Sequence, residues 1–181
     1  MQSGDLTSSY FELFGLPVSF DIDTKALAER YRELQRAVHP DRFATAADAE
    51  RRLSMQLATR VNEGFRTLKD PLARARYLLE RQGVALDDAD TRLDGGFLMQ
   101  QMELRERMDA VKGAADAGQR LQQLHDDIQR LQRGLVGELS ALFADGSPQA
   151  LQQARDASRK LQFFHRLGEE LAQLDDELAA S

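Results

Sequence analysis

His39-Pro40-Asp41 falls where one long amphipathic helix has to stop and before another begins, and this placement constrains the fold more than any other feature of the 181-residue chain. Asp23 stands where it can cap a helix whose apolar residues Leu27, Tyr31, Leu34 and Val38 recur at helical spacing. Pro40 ends that helix, because its ring pushes the preceding residue, His39, out of the α region. Leu57, Val61, Phe65 and Leu68 define a second helical stripe, which closes at Asp70-Pro71. Together these signals predict an antiparallel pair of helices joined by an exposed loop that carries an imidazole and a carboxylate.

The rest of the chain is also read as helical. Gly83, the acidic run Asp87-Asp88-Ala89-Asp90 and the pair Gly95-Gly96 mark a break between two regions. Beyond it, residues 97–111 read as a helix and residues 112–118 as an interruption. Leu121, Leu124, Ile128, Leu131, Leu135 and Leu142 then keep a heptad-like seam. A turn follows at Asp145-Gly146-Ser147-Pro148, with Ser147 placed to cap and Pro148 at the first helical position. Leu161, Phe164, Leu171 and Leu178 share one side of the last helix. The expected organisation is all-α: residues 1–82 as one domain, 83–96 as a linker and the start of a second, and 97–181 as an antiparallel three-helix bundle.

Composition removes several function classes. No apolar run approaches the ~20 residues that cross a bilayer. The opening MQSGDLTSS has neither the basic start and apolar core of a secretory signal nor the arginines of a transit peptide, so a cytoplasmic protein is expected. The chain has no cysteine, which excludes disulfides, thiolate catalysis and direct cysteine ligation of an iron-sulfur cluster. His125 and His165 are single residues on separate helices, so neither a metal nor another cofactor is expected. A net charge of −6 does not favour nucleic acid.

Three groups of residues are candidate sites. His39 and Asp41 could be a polar turn or a functional loop; as acid-base catalysts they lack an orienting group, a nucleophile and a phosphate loop nearby. Lys25, Arg32 and Arg36 lie about 100–140° from Tyr31 on the helical wheel and form an exposed basic ridge running toward His39. Glu29 and Glu33 lie beside that ridge, and charge runs of this kind are often only a solvated face. In Phe97-Leu98-Met99-Gln100-Gln101-Met102-Glu103-Leu104-Arg105-Glu106, Phe97 and Leu104 share a stripe with Met108 and Val111. Leu98, Met99 and Met102 lie about 100–200° away, so one helix has two apolar faces. Either another element of the fold covers the second face or a partner does. Phe163 lies about 100° from Phe164, off the core stripe of its own helix.

The N-terminal pattern resembles the J-domain, the module that docks on DnaK-family chaperone ATPases and speeds their ATP hydrolysis. The resemblance rests on Tyr10-Phe11-Glu12-Leu13-Phe14-Gly15-Leu16, His39-Pro40-Asp41, Asn62, Phe65, Leu68, Asp70-Pro71, Arg74 and Tyr77. With FLMQQMELRE, Arg76-Tyr77-Leu78-Leu79 and Arg159-Lys160-Leu161-Gln162-Phe163, nearly the whole chain after residue 8 resembles the HscB family, the J-domain co-chaperones of iron-sulfur cluster assembly. The resemblance implies a non-enzymatic adaptor between an IscU-like cluster scaffold and an HscA-like ATPase. It implies ATPase contacts at His39, Pro40, Asp41, Lys25, Arg32, Arg36 and Arg42, and scaffold contacts at Leu98, Met99, Met102, Glu103, Glu106 and Phe163. Arg42 and Met102 depart from the lysine and leucine common in the family, keeping charge and volume. A general J-domain co-chaperone, whose bundle serves unfolded clients or dimerises, is the alternative; an enzyme is the weakest of the three classes.

Overall fold

The structure, a computed structural model, describes residues 8–39, 47–86 and 95–180. They form seven α-helices and no strand: α1 Tyr10–Phe14, α2 Thr24–Val38, α3 Asp48–Lys69, α4 Pro71–Arg81, α5 Gly95–Asp109, α6 Ala117–Asp145 and α7 Pro148–Ala179. The chain divides into two compact units, Met1–Leu78 and Leu79–Ser181, and the division falls within α4.

In the first unit α2 and α3 are the expected pair. Asp23 caps α2 by accepting from the backbone N–H groups of Lys25 and Ala26 at 2.9 and 3.0 Å. The helix ends at Val38, and His39 is extended, with φ −60° and ψ 130°. Leu27, Leu34 and Val38 are buried, as are Leu57, Val61 and Leu68 of α3. Short α1 is held by a Ser9–Glu12 capping box and by the Tyr77 hydroxyl, which accepts from the Tyr10 N–H at 3.0 Å. It packs against α3 at Gly64, where a Cβ would come within 2.8 Å of the Tyr10 ring and 2.9 Å of Phe14. At the start of α4 the buried Arg74 lies over the Phe20 ring at 4.9 Å and donates to the Leu68 carbonyl. Desolvation pulls its guanidinium below the ordinary arginine value, opposed by the charges of Asp21 and Asp70.

The second unit is a three-helix bundle whose backbone is the α6–α7 hairpin. Gly146 closes α6 in the left-handed region, at φ 65°, where a side chain would be strained. The Ser147 hydroxyl then accepts from the Ala150 N–H at 3.2 Å, and Pro148 opens α7. Leu121, Leu124, Ile128, Leu135 and Leu139 of α6 are buried together with Leu161, Phe164, Leu167 and Leu171 of α7. The seam differs from the expected heptad in one respect: Leu139 is fully buried, whereas Leu131 and Leu142 are only half-buried. Helix α5 leans on this hairpin through Phe97 and Leu104, and the fully buried Val111 follows its end.

Candidate functional site

The residues picked out by sequence fall on two surfaces, one in each unit. In the first, α2 stops beside α3 because Pro40 forbids another turn, which leaves the Val38 carbonyl without a helical donor. The buried Ser54 hydroxyl of α3 donates to that carbonyl at 2.9 Å. The bond fixes the backbone one residue before His39, whose own side chain is exposed. Pro40, Asp41 and Arg42 lie outside the described residues.

Arg32, Arg36 and His39 come together along a groove of about 790 Å³ between α2 and α3, completed by Gln35, Val38, Ala58 and Asn62. Lys25, in the first turn of α2, is exposed but is not among the residues that line it. Beside the groove, Tyr31 stacks on Phe65 with ring centroids 3.9 Å apart. The Tyr31 hydroxyl donates to Asn62 Oδ1 at 2.9 Å, and the Gln35 amide donates to that hydroxyl at 2.5 Å. Arg36 Nε donates to the Arg32 carbonyl at 3.2 Å, which holds the guanidinium along the helix. Glu33, beside the ridge, pairs with Arg30 at 3.0 Å. The groove offers fixed positive charge beside an apolar floor, a surface suited to an acidic partner. Gln35 and Ala58 had no signal as site residues in the sequence, because they meet only once the two helices pair.

In the second unit, α5 has its two apolar faces in opposite environments. Phe97 and Leu104 point into the bundle, while Leu98, Met99 and Met102 are 56%, 72% and 56% exposed. Among the described residues of its unit, no element covers that outward face. Glu103 and Glu106 are also exposed, and Glu106 continues the row of Met99 and Met102 at helical spacing. Phe163 of α7 is half-buried at the edge of this surface, its centroid 5.5 Å from Phe97 and 5.4 Å from Phe164. Arg105 reaches over Phe163 at 6.0 Å from the ring centre and pairs with Glu170 at 3.6 Å. Arg107 ties α5 to α6 by donating to Asp127 at 2.7 Å, with Arg130 on the other carboxylate oxygen at 3.0 Å. The hydrogen bond from Arg107 is the main reason that the Asp127 carboxyl titrates below its ordinary range.

His125 and His165 line a shallow groove between α6 and α7 with Gln129, Gln132 and Glu169. Among the described residues no group of three or more His, Cys, Asp or Glu side chains could hold a metal ion. None of the described helices is long and apolar enough to cross a membrane.

The family model described as the HSCB C-terminal oligomerisation domain matches residues 93–172. A co-chaperone protein HscB homolog from Shewanella baltica is 43% identical over 171 residues, covering 94% of this chain and 98% of the relative. The homolog from Shewanella halifaxensis is 44% identical over the same shares. Among solved structures, chaperone HscB from Vibrio cholerae superposes with a TM-score of 0.85 at 38% identity, covering 94% of this chain and 99% of that one. The human co-chaperone protein HscB gives a TM-score of 0.85 at 28% identity, covering 93% and 83%.

Proposed function

The chain belongs to the HscB family of co-chaperones, and from that premise we propose that it carries an iron-sulfur cluster scaffold of the IscU type to a DnaK-family ATPase of the HscA type and stimulates that ATPase. In this reading residues 1–82 are the ATPase-facing J-domain, 83–96 the join, and 97–181 the scaffold-binding bundle. The scaffold contacts are Leu98, Met99, Met102, Glu103, Glu106 and Phe163. The ATPase contacts are His39, Pro40 and Asp41, with Lys25, Arg32, Arg36 and Arg42 supplying charge. The cluster travels on the scaffold as cargo, and this chain, without a cysteine, supplies no thiolate to it.

The observation that carries the reading is the outward face of α5. Three large apolar side chains stand exposed on a helix whose opposite face is already bundle core. Such a patch loses free energy to water unless a partner covers it, and unbranched methionines adapt to a partner's contours. The exposed carboxylates of Glu103 and Glu106 on the same helix add selectivity for a partner with cations beside its apolar contact. On the other unit, the cationic groove near His39 supports steering toward an acidic ATPase surface.

The test is one triple variant, Leu98→Ala with Met99→Ala and Met102→Ala, measured by scaffold titration and by thermal unfolding. A partner site loses about a hundredfold or more in affinity while the melt stays cooperative, because exposed truncations leave no cavity. Buried positions would give the reverse, each truncation costing about 2–5 kcal/mol. A native melt with undiminished affinity for the scaffold overturns the assignment of this face.

A second reading is favoured by the description of the matched family model, which names oligomerisation. In that case a second copy of the chain covers the α5 face. Sedimentation of the wild type and the triple variant separates the two: self-association that disappears in the variant supports the second reading, and a monomer in both excludes it.

A further inference from the structure

Helix α5 poses a problem that the hydrophobic effect alone does not solve. Phe97, Leu104 and Met108 form one apolar face and Leu98, Met99 and Met102 another, and the two sets of side chains are of comparable apolar size. Turning the helix by roughly 140° about its axis would exchange them at little cost in buried area. Something with directional preference has to choose.

Phe97 has that preference. Its ring meets Phe163 at 5.5 Å and Phe164 at 5.7 Å, both with interplanar angles of 83°, and Phe163 meets Phe164 at 5.4 Å and 71°. Each is an edge-to-face contact, in which the positive rim of one ring points at the negative face of the next. The Lys160 ammonium lies 5.4 Å from the centre of the Phe97 ring, adding a cation–π attraction from α7. Leucine or methionine at position 97 would bury well but could make none of these contacts. Farther along the helix, Arg105–Glu170 and Arg107–Asp127 are exposed or half-exposed ion pairs, of the kind that contributes little by itself.

We propose that Phe97 is a positioning residue whose aromatic cluster with Phe163 and Phe164 decides which apolar face of α5 is turned outward. It does not need to touch the partner to govern partner binding. The inference rests on the reading of the outward face as the scaffold site, and it adds a part for a side chain that is 4% exposed.

The experiment exploits the absence of cysteine, since any introduced thiol is then the sole site of labelling. Leu104→Cys reports the inward face of α5, and Leu124→Cys reports the α6 core as a control. Maleimide labelling rates are compared in the full chain with Phe97 and with Phe97→Leu. The expected result is about tenfold faster labelling at position 104 with no change at 124, and a scaffold affinity weaker by about tenfold, the scale of losing two aromatic contacts. Equal acceleration at 104 and 124 would mean general loosening, and no acceleration at 104 would mean that Phe97 selects nothing; either overturns the inference. If Phe97→Leu does not fold, Phe97→Met keeps more volume without the ring and is held to the same criteria. The labelling needs no scaffold, so selective loosening of α5 with undiminished affinity would count against the scaffold assignment, leaving Phe97 as the residue that orients the helix.

Discussion

The groove beside His39 and the outward face of α5 are built from opposite materials. The first is a cleft between paired helices, with Arg32 and Arg36 along it and hydrogen-bonded amides beside it. The second is a convex row of apolar side chains on a single helix. Charge acts at a distance and is screened by salt, so in the proposed role the first surface would control how quickly a partner arrives. Desolvation acts on contact, so in the proposed role the second would control how long a partner stays. The adaptor proposed above would need that division, and the two surfaces lie in separate units of the chain.

The strongest way to break this comparison is His39→Gln. Stimulation of the partner ATPase should be lost while scaffold affinity and the melt are unchanged, because the side chain is exposed and belongs to the other unit. Stimulation that stays within about twofold of wild type would remove the role assigned to His39. A smaller effect is expected from Arg32→Glu with Arg36→Glu. Stopped-flow association with the ATPase should slow by about tenfold, and added salt should slow the wild type toward the same rate. Scaffold binding should be insensitive to both changes; an ATPase association rate equally insensitive would make the ridge a solvated face.

The smallest effect concerns acid. The Asp127 carboxyl is held below its ordinary range mainly by Arg107, so its tie to α5 is complete above the unfolded value of about 4 and is lost as pH falls through the lower folded value. Amide exchange in α5 should therefore accelerate only in that acidic window. Asp127→Asn, which cannot titrate, should remove the acid-dependent step; an unchanged step in that variant would assign it to other carboxylates.

The two surfaces also differ in how legible they were. Asp23, Pro40, Ser147 and Pro148 act on their own neighbours along the chain, so the ends of α2 and the start of α7 could be read from sequence. The α5 face was legible only as a conflict of periodicities, and exposure resolved it outward. Leu139 was missed because a heptad repeat drifts by about 20° per seven residues against an α-helix. Eighteen residues make about five full turns, so Leu139 lies directly above the buried Leu121. The Ser54 hydroxyl bond to Val38 and the Tyr31–Gln35–Asn62 network join residues of different helices, and no local pattern announces such pairings.

Helices α6 and α7, of 29 and 32 residues joined by a tight turn, hold most of their contacts with each other. That pairing should persist when α5 lets go. Helix α5 is moored by a few buried side chains, one exposed ion pair and one half-buried one, which puts it at the low end of the ladder of local opening free energies. On warming, the outward face of α5 should therefore be lost before the fold is, and in the proposed role scaffold binding would fail reversibly before the hairpin unzips.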